Sequence, residues 1–399
     1  MTTTIPASLV ESIRRQVNPQ RLIDTAMALI EIPSPTRSAG PVADRLAQIL
    51  QEAGFKVERP VADWPEAPAV AVRLAGPRPG RTLQFDGHLD TVHLPFVPPR
   101  LEDGVLYGSG AADMKGGIAA FVEALRVLQE SDSLPAGQIL LTAHDHHEGP
   151  WGDRRQLRAL IEAGYVGDAV LLPEYLADRL PLAGRGMAIF EVTISRAGPP
   201  VHEVLRPPDL PDVLATGAEL TMQFKSRQQE LAQNRHPLAG ADSIFVGQLQ
   251  AGEIFNQAPT RCLVKGTRRW ITPGSSGQVQ ADFEQQLAEL ARRNGVHIEA
   301  DFAIQGDAFQ VAVADPLVQA FQAAHTALTG APLPLGGKPF VDDGNTFAAL
   351  AGIPPLSHGP NASGAHTLYE AVAVAELVRV AQLYALTAIN YCNDAENQE

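Results

Sequence analysis

The segment TLQFDGHLD, residues 82–90, begins as an apolar strand and ends on a histidine and an aspartate two residues apart. Side chains alternate across an extended segment, so His88 and Asp90 project the same way. Two later segments follow the same plan: GQILLTAHD (137–145) runs into His146, His147 and Glu148, and DAVLLPE (168–174) ends on Glu174. A further strand pattern, AVAVRL, covers 69–74, and helical patterns lie near 7–30, 41–53, 115–130 and 153–163. Strands alternating with helices predict an α/β unit with a mixed, mostly parallel sheet sandwiched by helices. Ligands of such sheets bind just beyond the carboxyl ends of the strands, where these polar residues fall.

The pattern changes at residue 184. MAIFEVTISR reads as a strand, LPDVLATGAELTMQFKSRQQELA as a helix, DSIFVGQLQ and CLVKGTRRW as strands, VQADFEQQLAELARR as a helix and HIEADFAIQG as a strand. The β-α-β-β-α-β order is the split-βαβ, ferredoxin-like arrangement of an α+β unit. It closes near Gly306, after which helices are expected at Pro316–Leu328, around Gly344–Ala351 and at Ala371–Ile389. The expected organisation is therefore one domain from 1–183 and 307–399, with 184–306 inserted. Gly184, Gly186 and Gly306 stand at the two ends of the insertion, where a hinge would sit.

A chain of 399 residues suits two domains, and 45% hydrophobic with 19% charged residues describes a soluble globular protein. A net charge of −14 without a basic stripe argues against a nucleic-acid partner. The opening MTTTIPASLVESIRRQ lacks the basic start and apolar run of a signal peptide, and no apolar stretch reaches membrane-spanning length. Cys262 and Cys392 are too few and too far apart for a disulfide framework and read as reduced thiols of a cytoplasmic protein.

The polar segments carry the chemistry. His88 with Asp90 reads either as a buried hydrogen-bonded pair or as a metal ligand with its orienting carboxylate. Asp113, in GSGAADMKGG, is either a helix N-cap or a carboxylate shared by two cations. AHDHHEGPWGD (143–153) is either a solvated turn or the lip of a metal site, and Glu174 and His366, the latter in SGAHTLYE, are a strand-end charge and a turn residue or two further ligands. Five such loops in this order favour the metal reading.

The arrangement resembles the family of dinuclear zinc hydrolases that contains acetylornithine deacetylase, succinyl-diaminopimelate desuccinylase, aminoacylase and bacterial glutamate carboxypeptidase. The resemblance spans nearly the whole chain. It implies that His88 of GHLD is a metal ligand oriented by Asp90, that Asp113 of DMKGG bridges two metals, and that Glu174 and His366 complete the set. In the inserted domain it implies that His202 of GPPVH reaches the reacting carbonyl and that Asn256 of FNQAP binds the carboxylate end of the substrate; DGNTF (343–347) matches a D-x-N-x-F helix start. Two departures stand out. Trp270 replaces the usual arginine, leaving Arg269 beside it for the substrate carboxylate. The usual D-E-E-x-G falls, without gaps, on Asp145-His146-His147-Glu148-Gly149, which makes His147 a ligand and His146 the general base, with Glu148 as the competing acid–base group. An imidazole ligand keeps the coordination number but makes the core more positive, which lowers the pKa of bound water further.

The resemblance thus implies a metal-dependent hydrolase that cleaves the amide bond of an N-acyl amino acid or small peptide through a metal-bound hydroxide. His202 and the metals would stabilise the oxyanion, and the inserted domain would act as a lid. The implied cofactors are two divalent ions, zinc first and cobalt second; the implied partners are a small-molecule substrate and a second subunit paired through the lid, with no membrane. The competing reading is a non-catalytic metal- or ligand-binding relative that has lost its general base.

Overall fold

The structure is a computed structural model and describes residues 5–393. The chain forms two compact units. One takes the residues up to Leu182, Val311–Gly336 and those from Asp342 onward; the other takes Ala183–Gln310 with Gly337–Val341. The second unit thus runs past Gly306 and includes a short returning segment. The returning segment packs closely: a Cβ on Gly337 would collide with the carbonyl of Leu238, and the buried Lys338 ammonium lies 4.9 Å over the Phe309 ring.

The first unit is built on a six-stranded sheet in the order Val57–Glu58, Val70–Ala75, Gln138–His144, Thr82–His88, Ala169–Leu172 and Pro355–Ser357. The last four run parallel, and the first two are antiparallel additions at one edge. The central strands are buried on both faces, as their continuous apolar runs require. On one face Phe85 stacks on Phe121 of the helix Lys115–Glu130, and Tyr384 of the helix Val374–Cys392 packs 4.6 Å from Phe121. On the other, Val170 and Leu172 join Leu157 and Phe347 in a separate apolar cluster. Parallel register sets Asp86 beside Thr142 and His88 beside His144, so two histidines end adjacent strands.

Local chemistry redraws three boundaries. The helix expected over 7–30 is two helices, Ala7–Gln16 and Pro19–Ile30, because Asn18 caps the second by accepting from the backbone N–H of Gln20 and Arg21, with Pro19 in its first turn. Around Gly344 a single α turn, Asp343–Thr346, passes into a π turn, Phe347–Ala351. The last helix begins at Val374, since Ala371–Ala373 pairs as a strand with Val105–Tyr107.

The second unit holds a four-stranded antiparallel sheet, ordered Ser243–Ala251, Arg261–Trp270, Gly186–Ser195 and His297–Gly306. Alternate residues of the inner strand, among them Phe190 and Val192, meet Phe224 of the helix Val213–Leu231 and Phe283 of the helix Ser276–Asn294 in one core. Trp270 closes its end: the indole lies against Gly186, where any Cβ would overlap it, and Nε1 donates to Asp307. Cys262 and Cys392 are free and buried. No helix among the described residues is long and apolar enough to cross a membrane.

Candidate metal centre

His88, the last residue of its strand, is fully buried, and its Nδ1 lies 2.9 Å from the backbone carbonyl of Asp90. A carbonyl only accepts, so Nδ1 carries the hydrogen. Nε2 faces Asp113, 3.2 Å from Oδ1. The Asp90 carboxylate, expected to orient the ring directly, stands 3.7 Å from Nδ1 and instead accepts from the backbone N–H of His147 and Glu148. Asp90 therefore ties the following strand's loop to the end of its own.

Asp113 is not an N-cap; the helix after it begins at Lys115 without a side-chain cap. Its loop is held by Glu370, which accepts from the backbone N–H of Gly110, Ala112 and Asp113. One carboxylate oxygen of Asp113 meets His88, and the other lies 3.1 Å from Nε2 of His366. His366 Nε2 is also 3.1 Å from Oε1 of Glu148. The ligand atoms of His88, Asp113 and Glu148 lie within 4.8 Å of one another, as do those of His88, His147 and Glu174. The His147 ring stacks on His88 at 3.9 Å and 12°.

The structure brings His88, Asp113, His147, Glu148, Glu174 and His366 together and leaves His146 out. The His146 backbone adopts a left-handed φ of 71°, which turns its ring away. That ring is buried edge-on against Trp64, 4.4 Å between centroids. Its Nδ1 is 3.2 Å from Asp153 but misaligned, and neither ring nitrogen has a hydrogen-bond partner among the described residues. An imidazole so placed cannot serve the cluster as a base.

Behind the cluster lies a network that the sequence reading left unassigned. His144 Nδ1 lies 3.1 Å from the carbonyl of Asp145, and Nε2 lies 3.3 Å from Asp86 and 3.4 Å from Asp343. Both nitrogens face acceptors. Burial alone would lower the His144 pKa, but the Asp86 and Asp343 carboxylates raise it to about 9. Asp343 Oδ1 also forms an ion pair with Nε of Arg154 at 3.1 Å, without hydrogen-bond alignment, and Oδ2 faces Nδ1 of His147 at 2.8 Å. Burial would push Asp343 up, yet these partners hold it far below the usual carboxylate range. The signals were present in the sequence: a histidine at a strand end and an aspartate opening DGNTF.

Burial, with the nearby His88 and Arg154, lowers the His147 pKa despite Asp343. The opposite holds beside Asp113: its hydrogen bond, with that of Glu148, raises His366 to about 10. Burial opposes the same trend at His88, where Asp113, Asp90 and Glu148 win and raise it well above its ordinary value. Protonated imidazoles thus neutralise carboxylates that a divalent cation would neutralise in their place. Imidazole nitrogens and carboxylate oxygens converging on buried positions fit borderline divalent metals.

The remaining candidates belong to the second unit. His202 is exposed, with Nε2 3.2 Å from the Asn256 amide nitrogen, and the short strand Val201–His202 pairs with Gln257–Ala258. Arg269 is half-buried; its Nη1 has no hydrogen-bond partner among the described residues, and burial beside Arg185 lowers its pKa.

A carboxylate shared between His88, which ends a parallel strand, and His366, in the turn between Ala362–Ser363 and Ala371–Ala373, suits a metal-binding site, and comparison with known proteins assigns the class. The chain belongs to peptidase family M20/M25/M40, whose profile matches residues 85–390. It is 30% identical over 390 residues to a succinyl-diaminopimelate desuccinylase of Alkalilimnicola ehrlichii, covering 91% of this chain and 96% of that protein. Its fold matches the aminopeptidase PepT of Bacillus cereus with a TM-score of 0.76 at 19% identity, covering 94% and 99% of the two chains. It also matches the YXEP protein of Bacillus subtilis, described as a dinuclear metal-binding peptidase, with a TM-score of 0.68 at 16% identity, covering 93% and 97%. The protein is an enzyme of the metallopeptidase and amidohydrolase class.

Proposed function

We propose that the protein hydrolyses the amide bond of an N-acyl amino acid or small peptide at two divalent cations, zinc first and cobalt second. The observation that carries this reading is Asp113, which offers one oxygen toward His88 and the other toward His366. On this assignment His88, Asp113 and Glu174 hold one cation, and Asp113, Glu148 and His366 hold the other. When bound, the cations polarise the substrate carbonyl and make water a better nucleophile.

The assignment moves the roles expected for 146 and 147 by one residue. Glu148 takes the ligand role, because it meets His366 and groups with Asp113. His147 takes the proton-transfer role, because it lies beside the ligands while His146 packs on Trp64. As water adds to the amide carbon, its proton passes to Nε2 of His147 and then to the leaving nitrogen as the C–N bond breaks. Asp90 holds the backbone that presents both residues. On the second unit, His202 with Asn256 is assigned to the reacting carbonyl and the substrate's carboxylate end, and Arg269 to that carboxylate; the sequence motifs support these roles.

The test is metal analysis together with amine release from N-succinyl and N-acetyl amino acids and dipeptides. The expected result is two divalent ions per chain and turnover of one of these groups, with N-succinyl compounds tried first because of the desuccinylase relative. Bound metal without any turnover would favour the non-catalytic reading, and absence of metal affinity would overturn the proposal.

A further inference from the structure

We infer that Asp343 is a positioning residue that fixes the tautomer and direction of the His147 imidazole, the two working as a carboxylate–imidazole pair in place of a carboxylate base. The inference rests on the proton-transfer role given to His147 above.

Asp343 Oδ2 lies 2.8 Å from His147 Nδ1. An ionised carboxylate only accepts, so Nδ1 must carry the hydrogen, and the lone pair is left on Nε2. With Nδ1 engaged, Nε2 is the nitrogen available to the group formed with His88 and Glu174. One face of the ring and the backbone behind it are held as well. The ring stacks on His88, while the backbone of His147 is held by its N–H donating to Asp90 and its carbonyl accepting from Nη1 of Arg154.

Asp343 is in turn held from behind. Arg154 Nε forms an ion pair with Oδ1 at 3.1 Å, and His144, whose other neighbour is Asp86, faces Oδ2. Asp342 caps the turn that follows by accepting from the backbone N–H of Gly344, and Ser357 donates to Asp342. Asp343, His144 and Arg154 are all buried. A carboxylate needed only to satisfy Arg154 would have no reason to present its second oxygen to a ring on the ligand cluster. Carboxylates that hold an imidazole in one tautomer act in this way in hydrolase triads.

The decisive variant is Asp343→Asn. Arg154 keeps the amide oxygen, so the amide N–H group faces Nδ1 and the ring proton moves to Nε2. With N-succinyl-L,L-diaminopimelate as the first probe, kcat should fall about a hundredfold, the scale of a lost general base. KM and metal content should hold. In 15N-histidine spectra the His147 signal should change from the Nδ1–H to the Nε2–H tautomer. In a His147→Gln background the same Asp343→Asn change should cost nothing further in kcat. An equal loss in both backgrounds, or a wild-type spectrum already showing Nε2–H, overturns the inference. The wild-type spectrum decides the matter even where the variant fails to fold. If the wild type turns over no probe, the hydrolase proposal fails, while the tautomer still tells whether Asp343 orients His147.

Discussion

At the scale of single residues, three neighbours in DHHE have three fates. His146 turns into the protein, His147 stacks beside the ligands, and Glu148 reaches His366. His146→Ala should leave metal content and turnover near wild type while lowering stability by about 1–3 kcal/mol, the usual cost of removing a buried side chain. Denaturant unfolding alongside metal analysis checks both parts. Glu148→Gln should behave in the opposite way, losing metal from one position and turnover with it while the fold persists. Asp113→Ala should release both cations, and retention of two per chain would remove its bridging role. The ligand types were legible before the fold was known, but the register within DHHE was not. A sequence shows which residues are adjacent; it does not show that His146 adopts a left-handed φ of 71°, which breaks the alternation of the preceding strand.

At the scale of elements, the parallel register placing His88 beside His144 gathers the chemistry at one end of the sheet. It also gives stability a pH signature. His144 has an ordinary pKa of 6.5 and about 9 in the fold. A raised folded-state pKa stabilises fully below the unfolded value, and that contribution is lost as pH rises through the folded value. Unfolding free energy of the metal-free protein should therefore fall between about pH 6.5 and pH 9. His144→Gln should flatten part of that fall, which melting curves at a series of pH values will show. The strands and their polar ends were legible because apolar runs meeting His, Asp or Glu are local patterns. The break at Asn18-Pro19 was missed, because continuous helical periodicity around it hid the cap followed by proline that marks it. The pairing of Ala371–Ala373 with Val105–Tyr107 joins residues remote in sequence, and no local pattern announces it.

At the scale of the whole molecule, the second unit takes Ala183–Gln310 and also Gly337–Val341, a return that no change of sequence pattern announces. The second unit leaves Ser243–Ala251 as an edge strand, with Phe245 and Leu249 exposed on it. A long edge carrying apolar side chains is a template for pairing with another chain. We expect a homodimer joined through this edge, and Phe245→Lys with Leu249→Lys should convert it to monomer in sedimentation velocity without changing metal content. An unchanged dimer would place the interface elsewhere.

Glu370 anchors the Asp113 loop through three backbone N–H groups, and it follows His366 by four residues near the end of the chain. Under the proposed ligand set, this puts a clock on biosynthesis. The first ligand, His88, is made early, while the loop presenting the shared carboxylate lacks its anchor until Glu370, just before the helix Val374–Cys392, is made. Stable cation loading is therefore expected only once Glu370 has been made. A nascent chain arrested before Glu370 should compete poorly for scarce metal, however much of its sheet has already formed.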